Sequence, residues 1–110
     1  MNRTYLSQSE LMVLLAVMRL RDEAYGVPIS AEIARHTTRE MAAGAVYATL
    51  ERLEDRGLVA SEIGEPSATR GGRAKTYFKV TAKGVRLVRE SQQALQRLWN
   101  GLPELGGKGA

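Results

Sequence analysis

The chain of 110 residues contains no cysteine and a single histidine, His36. Without cysteine, disulfides, thiolate metal sites and cysteine nucleophiles are excluded. One histidine rules out the usual histidine-based metal clusters and leaves little for general acid–base work. Aromatic residues are scarce, limited to Trp99, Phe78 and four tyrosines. The core must therefore be mostly Leu, Val, Ile, Met and Ala, a composition that favours helices. No apolar run approaches membrane-spanning length, and Met1-Asn2-Arg3 does not open a charged-then-apolar signal. Cytoplasmic residence with no membrane partner is the expectation. No carboxylate pair, nucleophile–base set or metal cluster is visible, which speaks against an enzyme and against a bound cofactor.

One further shortage is local. From Pro66 to Arg89 there is no acidic residue, while Arg70, Arg73, Lys75, Lys79, Lys83, Arg86 and Arg89 are all basic. The net charge is only +4, with a sequence pI of about 9.8, so the imbalance lies in the distribution rather than the total. A one-sign stretch points to a polyanionic partner, and equally describes a solvated face. The length suits one domain with a modest core, and the apolar fraction of 44% is that of an ordinary globular chain.

Ser7-Gln8-Ser9-Glu10 has the pattern of a capping box opening a helix to about Leu20. That helix carries Leu11, Leu14, Leu15 and Met18 on one stripe, and Met12, Val13, Ala16 and Val17 leave it almost no polar face. A helix apolar nearly all round is buried on more than one side, and in so small a protein the second cover is expected from another subunit. After a turn at Tyr25-Gly26, Pro28 suits the first turn of a second helix in which Ile29, Ile33 and Ala34 face inward until His36. Thr37 and Glu40 have the spacing of a second capping box, so a third helix starts either there or nearer Ala42.

The segment Ala42 to Leu58 places Val46, Leu50 and Leu53 on one helical face and Tyr47, Glu51, Arg52, Glu54, Asp55 and Arg56 on the others. Gly57 stands where a helix end needs φ > 0. Two short helices joined by a tight polar connection, after a longer buried one, form a helix-turn-helix order. Leu58 to Ile63 reads as a strand, Gly64 to Ala74 as a glycine-rich loop, and Lys75 to Val80 as a second strand. A hairpin with a cationic tip after a helix-turn-helix is a wing. Thr81 can cap a last helix from Ala82 to about Asn100, where Val88, Leu95 and Leu102, interleaved with Val85, Gln92 and Trp99 and flanked by Leu98, form a heptad-like seam. Two heptads are too few for a free-standing coiled coil, so the seam is expected against a partner's helices. The end, Gly101 to Ala110, holds four glycines and a proline and is expected to fray.

Tyr25-Gly26-x-x-Ile29, then Gly44-x-x-Tyr47-x-x-Leu50-x-x-Leu53-x-x-x-Gly57-Leu58, then Gly71-Gly72-Arg73-x-Lys75-x-Tyr77-x-x-Thr81-x-x-Gly84 resemble the PadR family of bacterial transcriptional regulators. The ordered series spans nearly everything from Leu6 to Leu98, and a single C-terminal helix resembles the short subfamily. The resemblance implies a mainly α fold with a small β-hairpin: a winged helix-turn-helix plus a C-terminal dimerisation helix. It implies boundaries of 1–80 for the DNA-binding domain, 81–105 for the dimerisation helix and 106–110 for a flexible tail. One departure stands out. The family often has serine and proline before the glycine that matches Gly44, where this chain has Ala42 and Ala43.

The expected function is a sequence-specific DNA-binding transcriptional regulator, a repressor acting as a homodimer on an inverted repeat in double-stranded DNA, with half-sites about one helical turn apart. Gly44, Ala45 and Ala48 are small enough for close contact with base edges, or for simple helix packing. Tyr47 offers a hydroxyl to a phosphate, Thr38 and Arg39 precede the helix, and Arg52 either contacts DNA or pairs with Glu51 or Asp55. Arg70, Arg73 and Lys75 are the wing's candidates for phosphate or minor-groove contact. Leu11, Leu15, Val88, Leu95, Leu98, Trp99 and Leu102 are the candidate dimer contacts. Trp99 is also a candidate stacking wall for a planar hydrophobic small molecule, a role the short PadR regulators of multidrug response imply. The alternative is a winged-helix protein–protein interaction module without an operator.

Overall fold

The computed structural model describes residues 6–64 and 74–106. Helices α1 (Gln8–Leu20), α2 (Gly26–His36) and α3 (Ala43–Asp55) are followed by strands β1 (Val59–Ile63) and β2 (Thr76–Val80) and then by helix α4 (Ala82–Trp99). Short 3₁₀ turns at Arg21–Glu23 and Pro103–Leu105 complete the order. The fold is mainly α with one antiparallel hairpin, in the order of a winged helix.

The start of α1 is fixed locally. Ser7 accepts from the Glu10 amide at 3.1 Å, and the Glu10 carboxylate accepts from the Ser7 amide at 2.8 Å, which is the reciprocal capping box. Beyond it, Val13, Leu14, Ala16 and Val17 are buried, whereas Leu11, Met12 and Met18 are half-buried and Leu15 is exposed. The helix therefore has one face in the core and a second apolar face that its own chain only partly covers. On α2, Ile29 and Ile33 are buried as expected, but Ala34 is exposed, because the inward position beside Ile33 belongs to Glu32.

Thr37 does not open a capping box with Glu40. Its hydroxyl donates to the Ile33 carbonyl at 2.8 Å and accepts from the Arg39 amide at 3.0 Å. The hydroxyl thus joins the Thr37 backbone N–H, which donates to the same Ile33 carbonyl at 3.0 Å, in closing α2. Helix α3 begins later, with Ala42 as its N-cap and no side-chain cap. Burial compensates for that omission. A missing cap costs about 1 kcal/mol, while Val46, Leu50 and Leu53, all fully buried, each contribute roughly 1.5–3 kcal/mol.

The end of α3 is a Schellman motif: Leu58 N–H donates to the Leu53 carbonyl and Gly57 N–H to that of Glu54, both at 2.9 Å, with Gly57 at φ 76°. Helix α4 then docks on this end. Thr81 Oγ1 donates to the Gly57 carbonyl at 2.7 Å while accepting from the Gly84 amide, Thr81 N–H donates to that of Leu58 at 3.0 Å, and Lys83 Nζ to that of Arg56 at 3.0 Å. The hairpin pairs Val59 with Val80 through Ile63 with Thr76. The Phe78 amide donates to the Ala24 carbonyl at 2.8 Å, tying β2 to the α1–α2 connection.

Two expectations about the C-terminal third change. Val88 is buried among residues of its own core rather than turned toward a partner. Residues Gly101 to Gly106 are hydrogen-bonded turns rather than a fray: Leu105 N–H reaches the Leu102 carbonyl at 3.1 Å, and Gly101 and Gly106 take the positive φ that the turns require. The contact at Gly84 is the tightest constraint on how α4 sits. A Cβ there would strike the Leu58 carbonyl oxygen and the Val80 side chain. Gly84→Ala should lower the unfolding free energy by about 1–3 kcal/mol, read from denaturant midpoints. An unchanged midpoint would show that the junction is loose.

Candidate nucleic-acid interface

Helix α3 is strictly two-sided. Val46, Thr49, Leu50 and Leu53 are its buried residues. At 100° per residue the outermost line opposite them runs through Gly44, Ala48, Glu51 and Asp55, all exposed. Ala45 and Arg52 flank this line on one side and are linked through Thr49. Thr49 Oγ1 donates to the Ala45 carbonyl at 2.8 Å and accepts from Arg52 Nη2 at 3.2 Å. Arg52 thus pairs with neither Glu51 nor Asp55.

Tyr47 flanks the other side. Its ring lies 6.4 Å from that of Phe78, and its hydroxyl end packs over Gly26, where a Cβ would collide with it. Tyr47 is therefore half packing residue and half surface, at 40% exposure. Next to Gly26, Tyr25 meets Tyr77 edge-on at 5.5 Å between centroids. Lys75 Nζ sits 4.4 Å from the Tyr25 ring centroid and 3.4 Å from its hydroxyl, a cation–π contact with a hydrogen bond at its rim. Four of the six aromatic residues thus gather where β2 meets the start of α2. The sequence marks Tyr25 as a turn and as part of a family motif, with no role assigned; in the structure its ring holds Lys75.

Of the other candidates, Thr38 and Arg39 are exposed before α3. Arg39 reaches back to the start of α1, donating to Ser9 Oγ at 3.1 Å and Gln8 Oε1 at 3.4 Å. Arg70 and Arg73 lie outside the described residues. A rule emerges from the partners. Arg39, Arg52 and Lys75 are positioned by neutral groups and keep their charge available to an anion. Arg56 instead pairs with the buried Glu10 carboxylate at 3.3 Å, and Arg19, Arg35 and His36 surround Glu32.

The fold and this surface can be set beside known proteins. Residues 14–90 match the Transcriptional regulator PadR-like family. The transcriptional regulator Rv3488 of Mycobacterium tuberculosis is 34% identical over 77 residues, covering 70% of this chain and 67% of its own length. A PadR family regulator from Eggerthella lenta is 30% identical with a TM-score of 0.67, covering 86% of this chain and 80% of that one. A PadR family transcription regulator from Clostridium difficile, at 18% identity, shares the fold with a TM-score of 0.71, over 84% of this chain and 91% of that one. The chain belongs to the PadR-like family of transcriptional regulators.

This PadR-like regulator also exposes apolar side chains beyond the winged unit. On α4 and just after it, Leu95, Leu98, Trp99, Leu102 and Leu105 are exposed, with Leu98 at 75% and Trp99 at 53%. On α1, Leu15 is likewise exposed and Leu11 is half-buried. Leu105 was not among the residues the sequence singled out; it becomes visible once the turn after α4 is seen to be ordered. Among the described residues no group of His, Asp and Glu is arranged to hold a metal ion, and no helix is long and apolar enough to cross a membrane.

Glu32 is the charged group on which the α1–α2 contact turns. Its carboxylate accepts from Arg19 Nε at 2.8 Å, meets His36 Nε2 at 2.9 Å and Arg35 at 3.3 Å. The Arg19 hydrogen bond, helped by His36 and Arg35 against the cost of burial, holds its pKa below the ordinary 4.5. A depressed carboxylate stabilises the fold fully above its ordinary value, and that contribution is lost as pH falls through the depressed one. Glu32→Gln should therefore lower the thermal midpoint at neutral pH, and the gap from the native chain should narrow as pH drops below about 4.5. A gap that is constant down to about pH 3 would show that the ion pairs contribute nothing.

Proposed function

We propose that this PadR-like regulator is a homodimeric repressor that reads an inverted repeat with α3 in the major groove and the wing beside it. The observation that carries the reading is the two-sidedness of α3: a fully buried apolar face, and opposite it a line opened by Gly44 and Ala48 that brings the backbone close to whatever it meets. Tyr47, Arg39 and Arg52 surround that line as donors to phosphate oxygens, which fix register without carrying sequence. The wing, with Arg70, Arg73 and Lys75, supplies the sequence-independent grip through counterion release. Thr38 joins the same rim.

The exposed Leu15, Leu95, Leu98, Trp99 and Leu102, with the half-buried Leu11, are the proposed dimer contacts. The proposed domain division is a winged unit to residue 80 that reads DNA and a segment 81–105, α4 with the turns after it, that joins two copies. Two α3 helices related by a two-fold axis would sit about one helical turn apart on the duplex. Trp99 is the proposed stacking wall for a planar hydrophobic effector between subunits, supported by the exposure of its indole in the single chain.

Three experiments test this. Arg73→Ala with Lys75→Ala should weaken binding to every duplex and flatten the salt dependence of affinity by roughly two logarithmic units per unit of log salt concentration. An unchanged slope removes the wing from the interface, and an absence of any sequence-dependent binding by the native chain at moderate salt favours the protein-interaction module instead. Trp99→Ala should shift the chain from dimer to monomer in sedimentation. Because Trp99 is the only tryptophan, quenching of the native fluorescence by planar aromatic compounds reports the effector site directly. A native chain that sediments as a monomer, or whose emission those compounds leave unchanged, removes the dimer or the effector respectively.

A further inference from the structure

The outermost line of α3 holds an acid where a DNA-binding surface is expected to be neutral or basic. Glu51 follows Gly44 and Ala48 at the next position of the same line, about 4.5 Å further along the helix axis than Ala48. Its side chain is exposed, and among the described residues it has no hydrogen-bond or ion-pair partner. The cation beside it in sequence, Arg52, is turned to Thr49 on the flank. Gly44 and Ala48 carry no side-chain hydrogen-bonding atoms, and Asp55 is shorter and lies at the far end of the helix, at the last residue of α3.

An unpaired carboxylate facing a polyanion weakens binding to DNA in general. It is compensated only where the duplex offers a donor to it. In the major groove, cytosine presents its N4 amino group as a donor, whereas adenine places the N7 acceptor beside its N6 amino group and repels a carboxylate. Thymine and guanine present acceptors at the corresponding edge. The geometry points to Glu51 as a specificity-determining residue that accepts a hydrogen bond from cytosine N4 in each half-site and disfavours every duplex lacking it. This rests on the reading of α3 as the groove-reading helix. Glu51 contributes little to grip; it separates the operator from other DNA.

The test is selection of bound duplexes from a random pool by the full chain, in parallel with Glu51→Ala and Glu51→Gln. Circular dichroism confirms that each variant retains the native helix content, as an exposed position should allow. The native chain should enrich cytosine at one fixed position per half-site. Glu51→Ala should lose that preference, bind unrelated duplex more tightly, and show a specificity ratio lower by at least roughly fivefold. Glu51→Gln should move the preference toward adenine, whose N6 and N7 an amide matches. If Glu51→Ala enriches the same bases as the native chain, the assignment is overturned, whatever happens to its affinity for unrelated duplex. If the native chain itself enriches no sequence, the failure belongs to the DNA-reading proposal instead, and the two failures are told apart by the native arm alone.

Discussion

Three consecutive carbonyls at the end of α3, those of Arg56, Gly57 and Leu58, are all taken by the first turn of α4. The direction in which α4 leaves the winged unit is therefore set by hydrogen bonds to the end of the helix proposed to read DNA. Gly84 allows the approach, since any side chain there would meet the Leu58 carbonyl. In a dimer joined through α4, the separation of two α3 helices is passed through this junction. A small rotation of α4 would move the far end of α3 relative to its twin. The effector proposed to bind near Trp99 would thus act on half-site spacing without touching the surface proposed to read DNA, by shifting the balance between dimer geometries.

The charged side chains divide by the company they keep. Glu10 and Glu32 are nearly buried, and the cations they engage hold helices together: Arg56 joins α3 to α1, and Arg19 joins α1 to α2. Arg39, Arg52 and Lys75 are oriented by Ser9, Gln8, Thr49 and Tyr25, which are neutral. Orientation without neutralisation is what a phosphate-binding cation requires. It lowers the entropy lost on binding and leaves the full charge to displace counterions. The net charge of +4 does not report this division, because Glu10 and Glu32 offset the cations that engage them.

What the sequence made readable was mostly local. Ser7 and Thr81 as caps, Gly57 at positive φ and the buried triad of α3 depend on neighbours a few residues away, and each stands as read. The misreadings came where a tertiary contact competes with a local one. Thr37 had two helix ends within reach, and its hydroxyl went to the carbonyl it could close rather than to the amide of the next helix. Periodicity placed Val88 in a seam but could not say which side of α4 meets the core. Burial of Glu32 in place of Ala34 was invisible because a charged residue turns inward only when its partners, here from α1 and α2 together, are folded around it. On the surface proposed to read DNA, small residues and cations were singled out by type. Glu51 was not, because an acid looks wrong for a polyanion until its position on the outer line of α3 is known.

That mismatch is where affinity and specificity separate. A regulator meets on the order of a million or more competing sites for each operator, so its useful quantity is the ratio of the two affinities. Cations on the proposed rim and wing would raise both terms of the ratio and leave it nearly unchanged. A carboxylate on the reading line lowers the general term at every duplex and returns part of the loss only where a donor faces it. Two copies in a dimer apply the same penalty twice, and an operator with both donors relieves it twice. With Gly44 and Ala48 too small to report a base by hydrogen bonding, such subtraction is the form of reading open to α3 if it lies in the groove as proposed.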